Sequence, residues 1–298
     1  MWFTESINGS DGKIGRMAPD GTLTEFPLPP DKDHYSVHAG RIVRGNDGNL
    51  WFTKIGSIYS GVASIVQLTP TGVMTEFSPP TQPCTPENLT AGPDGNLWFT
   101  DTSRKTIGRF TPDGVWDLFD LPSDVDYLAD LAAGPDGNLW FVDWIMDGPN
   151  DKIGRITPSG QVTEFPLPSS PLLLHKSTGA LTTGPDGNLW FTYMNVNEDG
   201  RSAGLGRMTT DGTVTEYPVP DSEDGPELGD LAVGPDNDLW FKERICCPGK
   251  MGRMTLEGNF DECQVDASLI SPAMTMTLGP DNHLWFTEDR KIGRLIVR

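Results

Sequence analysis

Seven short stretches of this chain end in a side chain able to carry charge or exchange a proton. Trp-Phe plus one further residue is followed in turn by Glu5, Lys54, Asp101, Asp143, Tyr193, Glu243 and Glu288. A second series, Arg41, Glu87, Asn88, Asp130 and Asp230, stands just ahead of Gly-Pro-Asp-Gly-type turns. Most of these are acidic. Carboxylates brought together repel, so they share protons, pair with Arg41 and Lys54, or hold a cation. An all-oxygen donor set suits Mg²⁺ or Ca²⁺, and no motif for an organic cofactor is present. The expectation is a divalent metal held by Glu5, Asp101, Asp143, Glu243 and Glu288. A small molecule would contact Arg41, Glu87, Asn88, Asp130, Tyr193 and Asp230. The competing reading is that each carboxylate is separately solvated or caps a strand end.

Bases are scarce. The four histidines are His34, His38, His175 and His283. His38 ends an unusual connection (31–38), His175 follows a Leu-Leu-Leu run, and His283 replaces Asn in a turn. Of the four cysteines, Cys246 or Cys247 could pair with Cys263 in an oxidising compartment, and a reduced state is the alternative.

The elements that must position these residues are repeats. Trp of Trp-Phe stands at 2, 51, 98, 140, 190, 240 and 285, at intervals of 49, 47, 42, 50, 50 and 45. That period is the length of one four-stranded propeller blade. Each unit reads as four strands, A to D. In one copy these are Leu131-Ala132-Ala133, then Leu139 to Val142 after a Gly-Pro-Asp-Gly turn, then Lys152 to Ile156, then Val162 to Pro166. Pro presets φ and Gly accepts positive φ in the A–B turn. The Gly of Ile-Gly-Arg is expected to let neighbouring blades approach, and the Trp to fill the space between sheets. The fold expected over residues 1–298 is one all-β domain, a seven-bladed β-propeller of four-stranded antiparallel blades. The chain starts at a strand B and stops after a strand C. The first blade is therefore expected to be truncated, with about 20 residues upstream. Strand A would face a central channel, and the two polar series would gather at one mouth of it.

Composition sets further bounds. With 42 acidic and 22 basic residues the net charge is −20, so no basic face exists for nucleic acid. The bland reading of that charge is a solvated acidic surface. No apolar run is long enough to cross a bilayer as a helix, and no signal peptide is visible, which leaves the compartment undetermined.

The motif Gly-Pro-Asp-Gly-Asn-Leu-Trp-Phe-Thr, followed by Ile-Gly-Arg and Thr-Glu-Phe-Pro-Leu-Pro, resembles the streptogramin B lyase (virginiamycin B lyase) family along the whole chain. The resemblance implies a monomeric seven-bladed propeller. It also implies a Mg²⁺-dependent carbon–oxygen lyase, which opens the ester of a cyclic depsipeptide by elimination without adding water. The implied general base is a histidine at the start of strand A in the last blade, with glutamates helping to hold the metal. The matching positions here are Gly40, Glu87, Ala129, Gly179, Gly229 and, in the last blade, Met274. Glu288, or Asp289 after a one-residue shift, matches the carboxylate after the last Trp-Phe, and His38 is the nearest substitute base. The expectation is a lyase-like propeller that binds a small molecule or divalent cation and lacks the family's histidine. The alternatives are a true lyase with a displaced base, and a lactonase-type hydrolase in which a metal activates water.

Overall fold

The computed structural model describes residues 1–5, 12–18, 20–30, 37–56, 63–81, 84–122, 125–145, 151–168, 173–198, 200–220, 227–263 without 245–249, 275–287 and 291–297. These residues form strands only. Repeat 1 has β1 (Trp2–Glu5), β2 (Lys13–Met17) and β3 (Leu23–Pro27); repeat 2 has β4 (His38–Arg44), β5 (Leu50–Ile55), β6 (Ala63–Leu68) and β7 (Met74–Phe77). Repeat 3 has β8 (Glu87–Ala91), β9 (Leu97–Asp101), β10 (Thr106–Phe110) and β11 (Trp116–Asp120). Repeat 4 has β12 (Tyr127–Ala133), β13 (Leu139–Trp144), β14 (Lys152–Ile156) and β15 (Val162–Pro166). Repeat 5 has β16 (Leu173–Thr183), β17 (Leu189–Asn197), β18 (Gly200–Met208) and β19 (Val214–Pro218). Repeat 6 has β20 (Glu227–Val233), β21 (Leu239–Arg244), β22 (Lys250–Met254) and β23 (Phe260–Cys263). Repeat 7 has β24 (Met276–Leu278), β25 (Leu284–Thr287) and β26 (Ile292–Leu295).

Each repeat is one antiparallel sheet in chain order, and the class is the all-β, seven-bladed β-propeller. Among the described residues the first and last sheets have three strands and the other five have four. Two compact units result, the first of residues 1–133 with 157–161, the second of 134–156 with 162–298. In the first unit β4, β8 and β12 run side by side; in the second β16, β20 and β24 do.

The repeat motif explains each sheet. In the A–B turns, Gly48, Gly95, Gly137 and Gly187 hold positive φ, and Asn237 and Asn282 take over that place in repeats 6 and 7. The turn Asp then accepts the indole N–H of the Trp four residues later at 2.8–3.1 Å in six repeats, as from Trp98 to Asp94. In repeats 3 to 7 the Arg of the Ile-Gly-Arg-type strand lies over that same indole, at 5.6–6.0 Å from the ring centre. Buried between sheets, Trp51 packs with Phe99, and Trp190 with Phe241. That bears out the role expected for Trp. The glycine of Ile-Gly-Arg works differently from expectation. It makes room within its own sheet, since a Cβ on Gly108 would lie 2.0 Å from the Phe99 ring. Neighbouring sheets are joined instead by the C–D turns. Gly160 of one such turn sits under the Phe119 ring of the preceding repeat, while Arg109 donates to the Pro158 carbonyl at 2.9 Å.

Candidate functional site

Strand A carries an irregularity that the sequence does not announce. In repeat 2, Ala39 pairs with Lys54 and Ile42 with Phe52, so Gly40 and Arg41 together oppose Thr53. Gly179 and Ala180 oppose Thr192 in the same way, and Gly229 and Asp230 oppose Lys242. A shift also falls between Glu87 and Thr90, with Asn88 at φ 31°. Such a bulge re-aims the side chains it carries. In repeats 2, 5 and 6 the position matched to the family histidine is the first bulge residue, Gly40, Gly179 and Gly229. A Cβ on Gly40 would stand 2.3 Å from Thr53 Oγ1, and on Gly179 2.7 Å from Thr192 Oγ1. No imidazole fits at either place unless the threonine moves.

Arg41 and Asp230 occupy the second bulge position, Asn88 opens the shift in β8, and Asp130 stands four residues before its turn as they do; these residues tie strands A to one another. In the first unit, Arg41 Nη1 donates to Asp130 Oδ1 at 2.7 Å. The guanidinium is about half exposed and the carboxylate mostly covered. Asn88 Nδ2 donates to the Leu128 carbonyl and to Thr100 Oγ1, each at 3.1 Å. Beside them Glu87 Oε2 accepts from Thr102 Oγ1 at 3.2 Å. Burial, reinforced by Asp101, raises the Glu87 carboxyl above its usual range although the Thr102 bond opposes this. Tyr127 is 41 % exposed, and its phenol is raised by burial and by the charge of Glu87. Sequence reasoning missed Tyr127. It stands in repeat 4 where repeat 2 has His38, a correspondence that appears once strands A are aligned on their turns. In the second unit, Asp230 Oδ2 accepts the Met276 N–H at 2.5 Å.

The residues after Trp-Phe behave otherwise. Lys54, Asp101 and Tyr193 are engaged locally. Lys54 donates to Glu76 at 2.9 Å, and Ser64 completes that carboxylate. Asp101 is fully buried and accepts from Ser103 Oγ at 2.6 Å and from the Arg104 and Thr85 N–H groups at 3.3 Å. Lys176 lies over the buried Tyr193 ring at 5.1 Å and pairs with Glu216. Glu5 stands across the strand pair from Lys13, which pairs with Glu25 at 2.7 Å. Glu243 stands across from Lys250, which pairs with Glu262 at 2.8 Å. Burial, then the Glu262 charge, pushes the Glu243 carboxyl up to about 7 despite Lys250; burial and Glu25 raise Glu5 likewise. Asp143, like Asp101, is fully buried.

Glu5, Asp101, Asp143 and Glu243 thus lie in four different sheets. Among the described residues no three of His, Cys, Asp and Glu form a group that could hold a metal ion. The described residues alone do not make up an Mg²⁺ or Ca²⁺ site. Glu288, Asp289, Met274, His34, Cys246 and Cys247 lie outside the described residues, and of Cys263 only the backbone is described. His38 is not in a loop: it opens β4 opposite Ile55 and is half-buried. His175 pairs with Val196 in β16, near the buried Asp151.

The solved virginiamycin B lyase from Staphylococcus aureus is 29 % identical, with a TM-score of 0.73 over 96 % of this chain and 88 % of that one. A catalytically inactive histidine-to-alanine form of that lyase, solved with quinupristin, matches equally. A streptogramin B lyase structure is 28 % identical, with a TM-score of 0.71 over 98 % of this chain and 92 % of that one. No curated protein matches the chain. The family model of the virginiamycin B lyases matches residues 1–201 and 174–298, which together span every repeat described above. The chain belongs to the virginiamycin B lyase family.

Proposed function

We propose that this member of the family binds a small molecule at the starts of β4, β8 and β12 and does not carry out histidine-dependent elimination there. What supports the reading is the set Arg41, Glu87, Asn88, Tyr127 and Asp130. It joins a half-exposed cation, a carboxyl raised above its usual range, an amide and an exposed phenol on three adjacent strands of one unit. Such a mixture of few polar groups beside an aromatic surface suits a neutral or anionic ligand with hydrogen-bonding groups. Elimination needs a base placed against the proton it removes, and base catalysis contributes about 10² to 10⁴ in rate. Gly40 and Gly179 leave no space for that base unless a threonine moves, none of the matching positions is histidine, and in the last repeat the matching residue is Met274.

The test is incubation of the protein with quinupristin and Mg²⁺, beside a chelated sample, followed by mass spectrometry and thermal unfolding. The expected result is intact antibiotic and a raised unfolding temperature that Arg41→Ala abolishes. A linear product of unchanged mass would establish elimination and overturn the reading. A product heavier by one water would replace it with metal-assisted hydrolysis.

A further inference from the structure

Repeat 3 breaks the pattern of strand D. Opposite the strand C position held by glycine in the other sheets or by Val66, strand D carries Glu25, Glu76, Glu164, Glu216 and Glu262. In repeat 3 the residue opposite Gly108 is Leu118. Two positions earlier, where repeats 4 and 5 have Val162 and Val214, stands Trp116. Both changes replace what the repeat specifies with something larger or less polar, on one face of β11.

A cavity of about 240 Å³ opens at that face, lined by Pro79, Pro80, Thr81, Cys84, Trp116 and Leu118. The indole of Trp116 is held edge-on against Phe99 and Phe110, at 5.6 and 4.8 Å between ring centres. One aromatic wall is therefore fixed. Cys84 is 1 % exposed, and burial, then its hydrogen bond to Asp101, pushes its thiol up to about 12. The thiol stays neutral, so among the described lining residues none carries a formal charge and Thr81 contributes the one side-chain hydroxyl. A charged ligand would lose its hydration here without compensation. A dry apolar cavity of about 150 Å³ suffices for benzene, so this one has room for a fused bicyclic ring.

We propose that this cavity in repeat 3 is a second binding site, separate from the starts of β4, β8 and β12, for a flat, uncharged aromatic molecule of one or two rings. The repeat itself supplies the controls. Leu118→Glu installs the residue that five other repeats carry at the same register position, and Trp116→Val the residue of repeats 4 and 5, so each tests the cavity with a side chain that this sheet type accommodates. Indole is the probe. In ¹H–¹⁵N spectra of the full chain, the Trp116 indole N–H, assigned by its loss in Trp116→Val, shifts saturably as indole is added. Leu118→Glu places a carboxylate in the cavity and weakens that binding at least tenfold, at a cost in unfolding temperature because Thr106 stands where Lys152 and Lys250 pair with the glutamates of other repeats. Trp116→Val, followed by saturation transfer to indole, loses most of the transferred signal, whereas Arg41→Ala retains it. A Trp116 signal that does not move, or indole binding unaffected by Leu118→Glu, would overturn the proposal.

Discussion

The Asp of each A–B turn does two jobs at once. Asp94 Oδ1 accepts from the Asn96 N–H at 3.2 Å and from the buried Trp98 indole at 2.9 Å. Burial pushes its carboxyl up, yet the bonds from Asn96 and Trp98 outweigh this and hold it below the usual range. Asp94→Ala leaves the indole N–H without its acceptor and should lower stability by about 1–3 kcal/mol in urea unfolding. Glu243 behaves in the opposite sense. Its folded carboxyl holds a proton up to about 7, whereas the unfolded one releases it near 4.5. Its stabilising contribution is complete below the unfolded value and is lost as pH rises through the folded one. Over that window the folded-to-unfolded ratio should fall by up to about tenfold per pH unit. Glu243→Gln should remove that slope, which equilibrium unfolding across pH 4.5 to about 7 measures.

Within an element, packing follows from what glycine leaves open. Gly108→Ala would drive a methyl into the Phe99 ring, and the overpacking should cost about 1–3 kcal/mol. Repeat 5 holds a different kind of constraint. Lys176 is 2 % exposed while Glu216 is 30 % exposed at its side chain. Removing the glutamate strands a buried ammonium, but removing the lysine leaves a carboxylate that water can reach. Glu216→Ala should therefore destabilise by about 3 kcal/mol, and Lys176→Met by clearly less, as read in denaturant midpoints. The existence of each sheet was legible because Trp-Phe, the turn glycines and Ile-Gly-Arg recur at blade spacing. The bulges were not, because a bulge resides in the pairing of two strands and leaves no mark on the composition of either. The long strands of repeat 5, with Leu189–Asn197 against Gly200–Met208, were hidden for a related reason. The outer residues of β17, Met194 to Asn197, alternate in polarity, but no other repeat carries such a stretch after Trp-Phe, and backbone pairing with β18 is what extends it. Among the site residues, the acidic positions were found but their partners were not. Lys13, Lys250 and Glu262 sit on strands C and D, where the eye reads scaffold.

Across the whole chain, a net charge of −20 works against compaction. The ion pairs that could relieve it are largely within single repeats, as for Lys13 with Glu25 and Lys250 with Glu262. Long-range repulsion is thus left to the solvent. Raising salt from about 0.01 to 0.15 M shortens the screening length from about 30 to 8 Å. The unfolding temperature should rise by about 2–4 °C, equivalent to about 1 kcal/mol in a protein of this size, and calorimetry would show it. A fall would mean that short-range pairs outweigh the overall repulsion.

The joint between successive repeats has a direction. The turn of one repeat enters under the ring of the one before, as Gly160 does at Phe119 and Gly212 at Phe165. Peg and socket differ, and every repeat of this kind brings one of each. A stretch of gene one repeat long therefore encodes both halves of its own attachment. Copied in tandem, it would find a socket waiting and present a fresh one to whatever follows. Lineages of such chains can lengthen by whole blades without first inventing a contact, and a single altered copy, such as repeat 3 with its tryptophan, can take up a new trade while its neighbours hold the old frame.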